Sequence, residues 1–134
     1  MDVISFPWRV FFYVDDSGQN VVKRWLYENG ASEADYAELQ SLIDICKLSG
    51  PRGLASCTID LGDGFYALQC KRKGGIQASP VFCYGPSSDS EITFLAGAKV
   101  IGKRIVPKYV AGIAEENLEK LHNDPSRKRL ENIW

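Results

Sequence analysis

The sequence predicts an α+β fold: an N-terminal strand, an antiparallel helical hairpin, a three-strand antiparallel meander and a C-terminal helix. Three observations carry that order. Apolar residues alternate from Phe6 to Val14, recur at helical spacing between Gln19 and Cys46, and return to a period of two from Phe65 to Val100. With 134 residues, 45% of them hydrophobic and 25% charged, the composition is that of an ordinary globular chain, read as one domain over 1–134.

Within the first strand Trp8, Val10, Phe12 and Val14 fall on one side and Arg9, Phe11 and Tyr13 on the other, so both faces call for a cover. Asp15-Asp16-Ser17-Gly18 is a turn, and Asp16 with Gln19 fits a helix start. Val21, Val22, Trp25 and Leu26 give the first helix its stripe, and Asn29-Gly30 stops it. Ser32-Glu33-Ala34-Asp35 has the form of a capping box ahead of Tyr36, Leu39, Leu42, Ile43 and Cys46. Gly50-Pro51 ends that second helix, and a loop follows over Arg52–Asp60.

The meander is expected as Phe65–Lys71, a turn at Lys73-Gly74-Gly75, Ile76–Tyr84, a turn at Gly85–Asp89, and one long strand Glu91–Val100. Pro80 has no amide to give a ladder, so a bulge or irregular edge is expected beside it. Ile101-Gly102-Lys103-Arg104 closes the sheet. Val110, Ile113, Ala114, Leu118 and Leu121 form the last helix, and the tail 123–134 reads as mobile.

Cys46, Cys57, Cys70 and Cys83 make no CxxC pair and the only histidine is His122, so free thiols, no metal and no cofactor are expected. Cys70 and Cys83 are left able to face each other across neighbouring strands. No apolar run approaches the roughly 20 residues of a membrane span. Met1–Phe6 has neither the basic nor the apolar region of a signal peptide, so the expected location is the cytoplasm.

Net charge is −1, but it is unevenly spread. Residues 1–65 carry ten acids and five bases, and residues 66–134 seven acids and eleven bases. Between 66 and 110 stand Lys71, Arg72, Lys73, Lys99, Lys103, Arg104 and Lys108 against only Asp89 and Glu91. An excess of that size attracts a polyanion to one side of a small domain.

The order strand–helix–helix–strand–strand–strand–helix resembles the RelE/ParE toxin superfamily, and within it the HigB-like, phage-derived branch. The likeness rests on Trp8-Arg9-Val10-Phe11-Phe12-Tyr13, on Leu61-Gly62-Asp63-Gly64-Phe65-Tyr66-Ala67-Leu68, on Ile92-Thr93-Phe94-Leu95-Ala96-Gly97-Ala98-Lys99, and on Gly102-Lys103-Arg104 followed by Pro107. It runs over roughly residues 5–121. The resemblance implies a type II toxin paired with a helix-turn-helix antitoxin, whose commonest activity is metal-independent cleavage of messenger RNA on the ribosome.

Such cleavage requires the 2′-hydroxyl deprotonated, the phosphate charge neutralised and the leaving oxygen protonated. The candidates for that work are Lys103, Arg104, Lys99 and Tyr66, with Lys71, Arg72, Lys73 and Lys108 holding the RNA backbone. Tyr66, Tyr84 and Tyr109 are candidates to stack on a base. The middle strand reads Ala78-Ser79-Pro80-Val81-Phe82, without the arginine that RNA-cutting relatives place there. That gap keeps open a non-catalytic binding protein on the same fold, of the gyrase-inhibitor type or a degenerate phage or mobile-element protein.

Overall fold

The computed structural model describes residues 7–86, 88 and 90–129. β1 (Arg9–Tyr13) is followed by α1 (Val21–Glu28) and α2 (Glu33–Ser49), then a 3-10 segment (Pro51–Cys57). β2 (Thr58–Gly62), β3 (Phe65–Leu68), β4 (Val81–Tyr84) and β5 (Glu91–Ala96) come next. A short pair, β6 (Lys99–Ile101) and β7 (Arg104–Val106), leads to α3 (Val110–Asn123), a 3-10 turn (Pro125–Arg127) and β8 (Lys128–Arg129).

The main sheet has the order β2-β3-β4-β5-β1-β8, and β6 with β7 forms a separate two-stranded sheet. β3, β4 and β5 are the expected antiparallel meander. β1 lies inside the sheet, parallel to β5, with Arg9 opposite Glu91 and Phe12 opposite Phe94. A strand enclosed by β5 and β8, with cover on both faces, must be apolar all round, as its pattern required.

Side chains alternate between two cores. Val10, Phe12, Leu68, Phe82, Ile92 and Phe94 pack with Val22 and Leu26 of α1 and Leu39, Ile43 and Cys46 of α2. Tyr13, Phe65, Ala67, Val81, Cys83 and Leu95 pack with Val110, Ala114 and Leu121 of α3. The two N-terminal helices therefore cover one face and α3 the other. Among the described residues, no helix is long and apolar enough to cross a membrane.

Several expectations are corrected. Asp16 and Gln19 do not start α1: Asn20 caps it, its side chain accepting from the Val22 and Lys23 amides. Asp15 instead builds the preceding turn, accepting from the Ser17 amide and hydroxyl and the Gln19 amide. The loop 52–60 contains the 3-10 segment and the start of β2, whose Ile59 and Leu61 reach only the α3 side of the sheet. The strands at 65–71 and 76–84 shorten to four residues each.

The long strand 91–100 breaks after Ala96, so Ile101–Arg104 turns a separate hairpin rather than closing the main sheet. The irregularity awaited near Pro80 is a register shift between Val81 and Phe82. The four cysteines are free, and Cys70 and Cys83 sit in opposite cores. Of the tail, residues up to Arg129 are built into the fold: Lys128 and Arg129 pair with β1, and Arg127 forms an ion pair with Asp16. Residues 130–134 of that call lie outside the described residues.

Candidate nucleic-acid interface

The separation of β6 and β7 from the main sheet begins at Gly97, where the backbone passes against the indole of Trp25. Ser79 then donates its amide to Ala98 O at 2.7 Å, and Val100 donates to Gln77 O at 3.3 Å. These bonds anchor the hairpin's base to the segment ahead of β4. Gly102, at a φ of 63°, takes the first central position of the two-residue turn, as a hairpin of this length requires.

Antiparallel register puts Lys99 opposite Val106 and Ile101 opposite Arg104. Those four side chains share one face, and Val100 with Ile105 share the other. Lys103 stands at the tip, and Lys108 and Tyr109 follow the second strand. Lys103, Arg104 and Lys108 are exposed and Lys99 is half-buried. No acid occurs between Glu91 and Glu115. Among the described residues, none of the four cations forms an ion pair. Tyr109, 72% exposed, adds a ring at the hairpin's foot.

The Lys71–Lys73 loop leaves the same end of the sheet as the hairpin. Gln77 links them, since its carbonyl accepts from Val100 while its side-chain amide donates to Arg72 O at 2.6 Å. The loop's cations are not equivalent. Arg72 donates to Asp35 Oδ1 at 2.9 Å, and Glu38 Oε2 accepts the amides of Lys71 and Arg72. Lys71 reaches Ser56 O at 2.8 Å. Arg72 thus ties the loop to α2, leaving Lys71 and Lys73 as the loop's exposed charges.

Asp35 is the hub of that tie. Its carboxylate, 6% exposed, accepts from the Ser32 amide and hydroxyl, from Arg72 and from the Ile76 amide. Burial alone would raise its pKa, but the hydrogen bonds from Ser32, Arg72 and Ile76 outweigh it and hold the carboxyl below its ordinary value. A depressed folded-state pKa contributes stability above the ordinary carboxylate range and loses it as pH falls through the folded value. Asp35→Asn is therefore expected to cost about 2 kcal/mol at pH 7. The difference from the native chain should shrink in urea melts as the pH is lowered from 5 towards 3.

Tyr66 is not brought to the hairpin. Its ring stacks on Phe82 at 5.7 Å between centroids and meets Tyr84 edge-on at 5.5 Å. Tyr84 in turn packs against Trp8 at 6.0 Å. These rings lie on the face covered by α1 and α2, so Tyr66 is part of a core-edge aromatic cluster. The expected catalytic set of Lys99, Lys103, Arg104 and Tyr66 therefore divides into three cations on one hairpin and one tyrosine elsewhere. Neither the family models nor the curated proteins compared with the chain give a match.

Proposed function

We propose that this protein is a toxin of the type II toxin–antitoxin class that acts on messenger RNA at the ribosome, its basic hairpin gripping the RNA backbone. The observation that carries the reading is the set of four cations, Lys99, Lys103, Arg104 and Lys108, with no acid among them and, among the described residues, no ion pair to satisfy them. Positive charge on a hairpin whose tip is exposed suits a polyanion, because phosphate contacts dominate RNA affinity. Arg104 can hold a phosphate through two bonds, and Lys103 neutralises charge at the tip. In this reading the RNA's own 2′-hydroxyl is the nucleophile, no metal takes part, and a helix-turn-helix antitoxin restrains the protein by masking the same charge in the cytoplasm.

A second reading has its own support. Tyr66 is committed to the Phe82–Tyr84 cluster, and the middle strand carries no base, so proton transfer has fewer candidates than backbone binding. This favours a binding protein on the same fold, with gyrase or another macromolecule as the target.

Inducible expression in a bacterial host followed by mapping of messenger 5′ ends separates the two. The cleaving toxin gives growth arrest with new 5′ ends, and Lys103→Ala with Arg104→Ala abolishes both. Arrest without new ends transfers the function to the binding reading. The absence of arrest removes the toxin reading altogether.

A further inference from the structure

A cleft of about 330 Å³ opens at the carboxyl ends of β1 and β5, between α1 and α3. We propose that it takes one unstacked guanine base. In sheets with parallel strands, ligands bind outside the strands' carboxyl ends, where the connections leave towards opposite faces. Here β1 leads to α1 on one face and β5 leads, through the hairpin, to α3 on the other. The volume is at the small end of the roughly 300–1,000 Å³ of ligand pockets, which suits a single ring system.

Part of the lining is aromatic and apolar, as a flat ring requires. It includes the half-buried indole of Trp25, lying so close to Gly97 that an added Cβ there would collide with its Cγ. Pro107 and Ile113 add further apolar lining. Glycine at position 97 is thus what lets the indole settle against the strand end.

The charges decide what kind of ring. Asp15, Asp16 and Glu28 line the cleft with Arg24 and Lys120, and Arg127 pairs with Asp16, so the cleft has no basic excess to hold a phosphate and leaves Glu28 to meet a base edge rich in N–H groups. Asp15 is already committed, accepting from Arg24 at 2.6 Å and from Ser17 and Gln19. Glu28 is held only at 3.9 Å from Arg24, and its carboxylate remains open to accept two parallel bonds. Guanine N1–H and the N2 amino group present that pair, while its O6 and N7 acceptors suit a lysine such as Lys120, which Glu116 holds only loosely at 3.5 Å.

Pro107 both ends the basic hairpin and lines the cleft. An RNA strand running along the hairpin down to Lys108, next to Pro107, reaches the cleft's mouth, and a free guanine nucleotide would reach the same place. The RNA source rests on the function proposed above; the cleft's chemistry does not.

The test uses the full chain, ¹⁵N-labelled, titrated to millimolar concentration with guanosine or uridine monophosphate. The Gly97 amide and Trp25 indole signals are expected to move with the guanine nucleotide and not with the uracil one. Glu28→Gln, an exposed change that leaves the fold intact, should weaken that binding about tenfold, and Lys103→Ala with Arg104→Ala should leave it unchanged. A uridine octamer carrying one guanosine should also bind about tenfold more tightly than the all-uridine octamer, a preference lost in Glu28→Gln. Shifts with the nucleotide but no RNA binding would retain the cleft as a free-nucleotide site and reject the RNA reading. Signals at Gly97 and Trp25 that stay still, or that move equally in Glu28→Gln, would overturn the proposal.

Discussion

Alanine at Lys99, Lys103, Arg104 and Lys108 together is expected to strip single-stranded RNA binding of most of its salt dependence. Each phosphate contact on a single strand contributes about −0.7 to the slope of log affinity against log salt, so four contacts give about −2.8. Raising salt from 50 to 200 mM should then weaken the native chain by about 50-fold, and the quadruple variant by only a few-fold. Fluorescence anisotropy at the two salt concentrations measures both. All four side chains are exposed or half-buried and outside both cores, so each replacement should change stability by no more than about 0.5 kcal/mol. A variant that keeps the native slope would move the RNA to Lys71 and Lys73, or away from this end of the sheet.

Lys128→Met is expected to have the largest effect on stability, a loss of about 3–5 kcal/mol. Lys128 Nζ lies 2.6 Å from Glu91 Oε1, with the two side chains only 12% and 4% exposed. It also sits 4.4 Å from the centroid of the Phe11 ring. Methionine preserves the apolar stem but removes the cation 2.6 Å from the buried Glu91 carboxylate, and breaking a buried pair costs several-fold more than losing the Coulomb attraction of a surface pair. Urea denaturation followed by circular dichroism gives the number. The double variant Lys128→Met with Glu91→Gln should recover much of the loss, and a double variant as unstable as the single one would show that the pair is not the cause.

Much of the architecture was readable because it rests on local chemistry. Ser32 and Asp35 form the capping box their spacing announced, and Gly50 and Pro51 end α2 where expected. The strand Glu91–Val100 failed because an unbroken apolar run carries no mark of where a ladder ends. The isolated Gly97 was the available signal, since a glycine inside a strand often marks a close approach of backbone to another group. β2 was missed because Thr58–Gly62 is an edge strand with only Ile59 and Leu61 on its covered side. β8 has two basic residues and no period at all; its place follows from the buried acid at Glu91, which no local pattern connects to Lys128.

The candidate interface was legible in composition but not in geometry. The basic excess over 66–110 comes together at one end of the sheet, because its residues lie on short, consecutive elements that leave that end. Tyr66 could not be separated from the cations by sequence, since its partners Phe82 and Tyr84 are contributed by the next strand. Trp25, Glu28 and Lys120 gave no warning either: on α1 and α3 they read as an apolar stripe and two solvent-facing charges, and only the parallel placement of β1 beside β5 brings them to one cleft.

That same parallel pairing sets an order of events during synthesis. β1 is made before both of its neighbours, β5 and β8, so the strand waits for partners of high sequence separation. Chains emerge at about 5–20 residues per second, which leaves β1 without its ladder partners for several seconds, even as α1 and α2 come to cover Val10 and Phe12. The hairpin at 99–106 emerges before β8 can close over β1, so a ribosome-bound chain can present its positive charge before its core is complete.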